Sequence, residues 1–154
     1  MKTLMVLLAS ALSIGFAQAQ KLKEADVPAA VKDAFKKEFP GSKVKEWAKE
    51  GDVYEIEFDL KKVETSATFT AAGKLVETES EIKIEELPKA VYEFVQKNHP
   101  DHKITEASKI VEAGTGKVSY EAEISKGKDE TDLIFDEKGN FLKKEGTDSE
   151  DGKD

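Results

Sequence analysis

The chain contains no cysteine and no arginine, and these two absences limit its chemistry. Without cysteine it can form no disulfide and has no thiol for catalysis or lipid attachment, so packing alone must hold the fold. Without arginine it lacks the planar donor group that reads guanine bases and clamps phosphates. All 24 basic residues are lysine, against 32 acidic residues, and the formal net charge is −8. Binding to nucleic acid or to an anionic membrane surface is therefore disfavoured, and a cationic partner fits better.

The first residues have the pattern of an export signal. Lys2 precedes an apolar run from Leu4 to Phe16, and Ala17-Gln18-Ala19 follows as a small-x-small cleavage site. This pattern predicts a signal peptide over residues 1–19, because the run is too short to span a bilayer comfortably. The remaining 135 residues are enough for one domain with a real core.

A sequence repeat dominates the rest of the chain. Residues 27–46 and 87–106 are identical at seven of 20 positions at an offset of 60. The match resumes at an offset of 66 around Tyr54 and Tyr120. A long period that occurs only twice indicates a duplicated supersecondary unit rather than a solenoid array.

Each repeat opens with a helical pattern between two prolines, Pro28 and Pro40 in the first copy and Pro88 and Pro100 in the second. A proline suits the first turn of a helix, and the residue before a proline avoids the helical region. Apolar residues between them recur at helical spacing, which predicts one buried stripe on each helix. The stripe residues are Val27, Val31, Ala34, Phe35 and Phe39 in repeat one, and Leu87, Val91, Phe94, Val95 and His99 in repeat two.

The apolar period changes to two after each helix, which predicts about four strands per repeat. Gly73 and Gly139 each lie where the hairpin between the third and fourth strands needs a positive φ. Repeat two carries six extra residues near Ala113–Lys117, so its first hairpin should be longer. The predicted strands are Val44–Ala48, Val53–Leu60, Thr65–Thr70 and Leu75–Glu81 in repeat one, and Ile104–Val111, Val118–Ser125, Thr131–Asp136 and Phe141–Glu145 in repeat two.

These patterns predict an α+β domain over residues 20–145, with repeats at about 22–81 and about 82–145. Two tandem α-β4 repeats would form one antiparallel sheet with two helices on one face and the other face open. Gln20–Asp26 is interpreted as a polar lead-in. Residues 146–154 contain no apolar residue and are predicted to be a disordered acidic tail.

Several short motifs carry a resemblance to a known family, and it spans nearly all of Val27–Glu145. The motifs are Val27-Pro28-Ala29-Ala30-Val31, Leu87-Pro88-Lys89-Ala90-Val91, Phe39-Pro40-Gly41-Ser42, His99-Pro100-Asp101-His102, Tyr54-Glu55-Ile56 and Tyr120-Glu121-Ala122. They resemble the PepSY-like family of exported bacterial proteins, which shares its fold with the beta-lactamase inhibitory proteins. The resemblance implies a periplasmic or secreted protein. It also implies binding through the open sheet face, since the inhibitory proteins grip their enzyme there and several relatives are proposed to restrain peptidases.

The sequence offers little for catalysis or metal binding. His99 and His102 are the only histidines, and an H-x-x-H pair can bind zinc when a third ligand converges. However, repeat one has Phe39 and Ser42 at the matching positions, which favours a structural role. Glu55 and Glu57 have a spacing that could suit a glycosidase, but such a site needs a pocket. We therefore predict no catalytic residue, no metal, no cofactor and no enzymatic activity.

The acidic strand face is the candidate binding surface. It is either the wet side of an antiparallel sheet or a surface that attracts a basic protein. Alternation from Val44 places Trp47 on this face as an anchor, unless a bulge returns it to the core. The residues predicted to bind the partner are Trp47, Glu55, Glu57, Thr68, Thr70, Glu121, Glu123 and Ile134.

Three functions remain open at this point. The leading hypothesis is an exported, non-enzymatic protein-binding module, with inhibition of a peptidase or other enzyme as one form of it. The alternatives are a binder of a small or cationic ligand in the sheet concavity, and an envelope structural or stress protein without a discrete site. The expected partner is an unidentified protein with a basic surface. Neither nucleic acid nor membrane insertion after signal cleavage is expected.

Overall fold

The computed structural model describes residues 20–145, and its elements follow the predicted repeat. The predicted signal peptide and acidic tail lie outside these residues. The helices are α1 (Ala29–Glu38) and α2 (Lys89–Asn98), each preceded by a single 3-10 turn, Glu24–Asp26 or Ile84–Glu86. The strands are β1 (Gln20–Leu22), β2 (Val44–Glu50), β3 (Val53–Leu60), β4 (Val63–Thr70), β5 (Leu75–Glu81), β6 (Lys103–Glu112), β7 (Val118–Lys126), β8 (Asp129–Asp136) and β9 (Phe141–Glu145).

Hydrogen bonds link the strands in sequence order, from β1 to β9, into one antiparallel sheet. The predicted α+β fold class is confirmed, with two copies of a helix followed by four strands. The strand β1 is the exception, because its residues were interpreted as a polar lead-in. It pairs with β2, placing Leu22 opposite Trp47. Three residues are too few to show an alternating pattern, so this strand has no local signal in the sequence.

The chain divides into two compact units. Unit 1 contains the residues up to Glu81 together with Ile110–Lys117. Unit 2 contains Ile82–Lys109 and the residues from Val118 onward. The loop between β6 and β7 is longer than the two-residue turn between β2 and β3, as predicted. This loop belongs to unit 1, where the Ala113 N–H donates a hydrogen bond of 2.7 Å to the Val76 carbonyl.

The core of unit 1 lies between α1 and one side of its strands. Val31 and Phe35 of α1 are buried against Ile56 and Phe58 of β3. The rings of Phe35 and Phe58 meet edge to face with centroids 5.0 Å apart. All five predicted stripe residues of repeat one belong to this core. The core therefore forms where the helical period and the strand period present apolar side chains to each other.

The core of unit 2 repeats this arrangement with different side chains. Val91 and Val95 of α2 are buried, and the Phe94 ring meets Phe135 edge to face at 5.4 Å. His99 takes the place of Phe39 at the helix end, and its ring lies 6.2 Å from that of Phe94. Its backbone N–H donates to the Val95 carbonyl at 2.7 Å, as the N–H of Phe39 does to Phe35 at 2.8 Å. The histidine thus performs the structural role that its repeat mate has.

The turn between β4 and β5 packs directly on the start of α1. Gly73 has a φ of +79°, and its N–H donates to the Thr70 carbonyl at 2.8 Å. A Cβ atom at this position would lie 2.5 Å from the Ala30 carbonyl oxygen. Glycine is required here both for its backbone conformation and for the close approach of the helix.

Replacing Gly73 with alanine should therefore destabilise the fold more than the same change at Gly41, which is the matched control. Gly41 has a similar φ of +82°, but a Cβ atom there would have nothing within 4 Å of it. Both changes should cost about 1 kcal/mol for the backbone, and Gly73→Ala should cost a further ~1–3 kcal/mol for the clash. Urea unfolding of the two variants measures the difference. Equal losses would show that the helix contact contributes nothing.

Candidate functional site

The side of unit 1 opposite α1 carries a cluster of glutamates. Because Ile56 and Phe58 pack toward the helix, Glu55 and Glu57 on the same strand point the other way. The register places Glu55 opposite Thr68, and Glu57 opposite Ser66. We call this surface the carboxylate face. Its residues are Glu46, Ala48 and Glu50 of β2, Glu55, Glu57 and Asp59 of β3, Glu64, Ser66, Thr68 and Thr70 of β4, and Glu77 and Glu79 of β5.

The centre of the carboxylate face is buried, although the sequence predicts a solvated surface. Glu55 is only 5% exposed, and Ser66 only 1%. Ser66 and Thr68 are short side chains that lie between the longer glutamates of β3 and β5, since Thr68 faces Glu77 and Ser66 faces Glu79. The face therefore combines acidic groups with restricted access to water, which is an unusual environment for carboxylates.

This environment changes the proton affinity of Glu55. Burial raises the pKa of Glu55 to about 8, and the charges of Glu57, Glu79 and Glu50 add to the effect in that order. A hydrogen bond from the Ser66 hydroxyl opposes the shift. Among the residues that the structure describes, none is a hydrogen-bond partner of Glu55 Oε1. Glu55 is thus protonated near neutral pH, since an unpaired buried carboxylate would be costly.

Lysines compensate one end of the carboxylate face. Lys45 lies 2.6 Å from Asp59 and 3.3 Å from Glu64. Lys21 of β1 lies 2.5 Å from Glu46. These pairs are exposed and stabilise the fold little, but they neutralise the carboxylates around them. No ion pair to Glu55 is present within residues 20–145.

Glu57 lies between the buried centre of the carboxylate face, around Glu55, and the end of the face that carries the lysine pairs. Burial raises the pKa of Glu57, the neighbouring Glu46 and Glu64 raise it further, and Lys21 and Lys45 lower it. The pKa values of Glu55 and Glu57 are consequently shifted in the same direction.

Unit 2 has a smaller group of acidic residues on the corresponding side of its strands. Glu121 and Glu123 alternate with Ala122 and Ile124, which are buried in the core beneath α2. Glu121 of β7 lies opposite Ile134 of β8 in the strand register, and both residues are buried. Glu123 is half-buried, and the Thr105 hydroxyl donates a hydrogen bond of 2.5 Å to its Oε1.

The placement of Trp47 on the open face is wrong. Trp47 faces Ile56 in the β2–β3 register and lies on the side that packs against α1. Its ring is 6.0 Å from that of Phe35, in an edge-on arrangement. The cause is a register shift in β2 between Val44 and Glu46, which puts one residue out of alternation. Trp47 therefore packs against the core on the α1 side of the strands and lies off the carboxylate face.

The remaining predicted residues lie on the side of the strands that faces away from the helix of their own unit. Thr68 and Thr70 of β4 alternate with Phe69, which is buried in the core. Ile134 of β8 alternates with Leu133 and Phe135 in the same way, but it is buried and offers little surface to a partner. Whether any of these residues binds a partner stays a prediction.

Several residues of the carboxylate face were not predicted as site residues from the sequence, among them Ser66, Glu77 and Glu79. A signal for the two glutamates was available, because the segment Val76–Glu81 reads VETESE and alternates acidic with small residues. It was interpreted only as a fourth strand. The burial of Ser66 had no sequence signal, because it depends on the register between β3, β4 and β5.

The histidine pair remains a structural feature. The rings of His99 and His102 are 5.4 Å apart, and burial lowers the pKa of His99. Over residues 20–145, no group of three or more histidine, aspartate or glutamate side chains is arranged to hold a metal ion.

No helix in that part of the chain is long and apolar enough to cross a membrane.

The family model described as "Putative beta-lactamase-inhibitor-like, PepSY-like" matches residues 16–76 and 59–143 of the chain. The chain belongs to the PepSY-like family. The resemblance inferred from the sequence motifs is confirmed, and the two overlapping matches agree with the two repeats. None of the curated proteins compared with this PepSY-like chain matches it.

Solved structures share this fold. A BLIP-like protein from Bacteroides fragilis NCTC 9343 is 25% identical, with a TM-score of 0.60 over 79% of this chain and 91% of that one. A protein from Bacteroides eggerthii DSM 20697, described as a putative periplasmic protein, is 18% identical, with a TM-score of 0.66 over 77% of this chain and 88% of that one. The second likeness shows the fold alone.

The raised pKa of Glu55 makes the stability of the PepSY-like chain depend on pH. The folded protein holds this proton up to pH of about 8, whereas the unfolded chain releases it near 4.5. Between these values the folded state binds more protons, so the free energy of unfolding falls as pH rises, by up to about 1.4 kcal/mol per pH unit. Glu55→Gln should remove this component. The variant should match the wild type near pH 5 and exceed it by ~2–4 kcal/mol near pH 8.

Urea unfolding across this pH range measures the effect. Asp52→Asn is the control, because it removes an exposed carboxylate in the turn between β2 and β3. If the free energies of unfolding of Glu55→Gln and Asp52→Asn change with pH as that of the wild type does, Glu55 is not protonated in the folded protein.

Replacing Trp47 with alanine should destabilise unit 1, because the indole packs beside Phe35. Since Trp47 is half-buried, we expect a loss of ~1–3 kcal/mol, below the range for a fully buried tryptophan. In the wild-type protein, tryptophan emission should be shifted to the blue and weakly quenched by acrylamide. This emission reports on Trp47 directly, because Trp47 is the single tryptophan. Emission like that of free indole in water, with unchanged stability, would contradict the core position.

Proposed function

We propose that this PepSY-like chain is an exported, non-enzymatic protein-binding module that binds a basic protein through the carboxylate face. The observation that carries the proposal is the concentration of carboxylates on the side of the strands away from α1, with Glu55 buried at its centre. Buried acidic groups destabilise a fold, so their presence on one surface favours a binding role over a merely solvated surface.

Export is supported by two observations. The first 19 residues have the composition and cleavage pattern of a signal peptide. The Bacteroides eggerthii relative, which shares the fold, is described as a putative periplasmic protein. A location in the periplasm or the medium agrees with both, and with a fold that contains no cysteine.

Binding is favoured over catalysis by the limited access to the central carboxyl group. A raised pKa on a buried glutamate beside a second carboxylate is also found in glycosidases. Here, however, Glu55 is only 5% exposed, and its neighbours Ala48 and Thr68 are buried as well. A sugar ring therefore has little access to this carboxyl group, whereas a narrow side chain needs less room.

Charge complementarity defines the partner. The chain has a net charge of −8, and a surface of one sign accelerates association with a protein of the opposite sign. Relatives include a BLIP-like protein, so inhibition of an enzyme by covering a basic surface is one form that this binding would take. In that form the partner is an exported enzyme, and the module acts by occlusion.

The proposal is tested by capture from the exported protein fraction with a chemical cross-linker. The face variant carries Glu50→Gln and Glu57→Gln, two half-buried residues of the carboxylate face. The control variant carries Asp33→Asn and Glu93→Gln, which are exposed on α1 and α2 and occupy matching positions of the two repeats. Both variants lose the same charge, but they lose it from different sides of the strands.

We expect a basic protein that is captured by the wild type and by the control but is reduced at least about tenfold with the face variant. Capture should also weaken with salt, since the attraction is electrostatic. Equal capture by both variants would exclude the carboxylate face. A thermal shift with spermidine but no captured protein would favour the small-ligand alternative, and the absence of both would favour a structural role.

A further inference from the structure

The carboxylate face contains one atom that points to a specific contact. Glu55 Oε1 is buried and has no hydrogen-bond partner in the described part of the chain, while the Ser66 hydroxyl bonds the same carboxyl group. Buried oxygens of this kind are nearly always satisfied in folded proteins. An oxygen left open at the centre of an acidic surface is thus a place where a donor from outside the chain can bind.

The donor must be a cation, because the charges that act on Glu55 are all negative. Glu57, Glu79 and Glu50 each raise its pKa, and the lysines of this face pair elsewhere, with Glu46, Asp59 and Glu64. A positive group at Oε1 would be attracted by the three carboxylates of Glu57, Glu79 and Glu50 at once. Because access is restricted, the attraction would be screened less by water than at the exposed lysine pairs.

The geometry favours a lysine side chain over the alternatives. Since Ser66 occupies part of the hydrogen-bonding capacity of Glu55, a single donor fits better than the two parallel donors of a guanidinium group. The residues directly opposite Glu55 are Ala48 and Thr68, whose side chains are short, so a narrow aliphatic stem fits beside them better than a bulkier group does. A metal ion is less suitable, because residues 20–145 contain no group of three side chains that could hold one.

We propose that a lysine side chain of the protein partner docks on Glu55 and displaces the proton from its carboxyl group. In this step the O–H bond of Glu55 breaks, the proton passes to solvent, and an ammonium–carboxylate ion pair forms with Oε1. The inference rests on the proposed function, since it assumes that a basic protein occupies the carboxylate face. It adds that the partner's affinity is linked to pH through this one residue.

The direction of the linkage follows from the protonation of the free protein. In the free chain Glu55 keeps its proton until the pH approaches about 8. Docking in more acidic solution must first remove that proton, so the affinity rises with pH and levels off near 8. The partner would consequently be released when the surroundings become acidic. A cluster of ionised surface carboxylates alone would release the partner only near pH of about 4, because such groups stay charged down to about that pH, whereas Glu55 moves the release toward neutral pH.

Isothermal titration calorimetry with the full exported chain tests the inference. The probe is a short synthetic peptide of alternating glycine and lysine, compared with the same peptide acetylated on its lysines. Titrations in phosphate and in Tris at the same pH separate the heat of buffer ionisation and so count the protons released. Near pH 7 we expect release of about one proton per bound lysine peptide, and an affinity that rises about tenfold per pH unit between about 5.5 and 7.5.

Glu55→Gln keeps the size of the side chain but has no proton to release. It should bind the peptide at least about tenfold more weakly near pH 8, with no proton release and little dependence on pH. Asp52→Asn, which removes an exposed carboxylate outside the carboxylate face, should behave like the wild type. Peptide binding that is lost in the face variant but unchanged in Glu55→Gln would overturn this inference and leave the proposed function standing.

Two further outcomes count against the inference. If spermidine binds as tightly as the peptide and releases the same proton, a free cation rather than a protein is the occupant. If the lysine peptide does not bind at millimolar concentration while the basic protein is still captured through the carboxylate face, the contact is made by other chemistry. Binding of the acetylated peptide with equal affinity would exclude an ammonium group as the donor.

Discussion

The two-residue period of β3 is the constraint on which the rest of unit 1 depends. Ile56 and Phe58 must face α1 to form the core, and this fixes Glu55 and Glu57 on the other side of the strand. A shift of one residue would bury two carboxylates against the phenylalanines of the helix. The apolar core and the acidic surface are consequently set by one register, and neither can change without the other.

The two repeats share one fold but differ from each other both in their cores and on the side of the strands that faces away from the helix. Matching positions of the two cores carry different side chains, as with Phe39 and His99 at the helix ends. The outer sides differ in charge, because unit 1 collects glutamates on four strands while unit 2 pairs Glu121 with the apolar Ile134. A duplicated scaffold therefore leaves each half free to carry its own surface. Function in such a chain follows from the surface and not from the fold.

Much of the fold was predictable from the sequence. Prolines marked both helices, apolar stripes located their buried sides, and β3, β5 and β9 were predicted with the bounds that the structure has. What failed were features without a local signal. The strand β1 is too short for periodicity. The shift between Val44 and Glu46 turns Trp47 to the core and depends on pairing with β3, which no single segment encodes. The carboxylate face was foreseen as a row of glutamates, but the exclusion of water from Glu55 arises from three neighbouring strands together.

The buried position of Glu55 has an evolutionary consequence. A neutral residue of the same size would satisfy the sheet at lower free energy, and neutral substitutions of this kind are readily accessible by mutation. A chain selected only for heat resistance would exchange this glutamate early, whereas a chain selected for its partner would retain it and tolerate the lower stability. Selection for stability and selection for partner binding thus favour different residues at position 55.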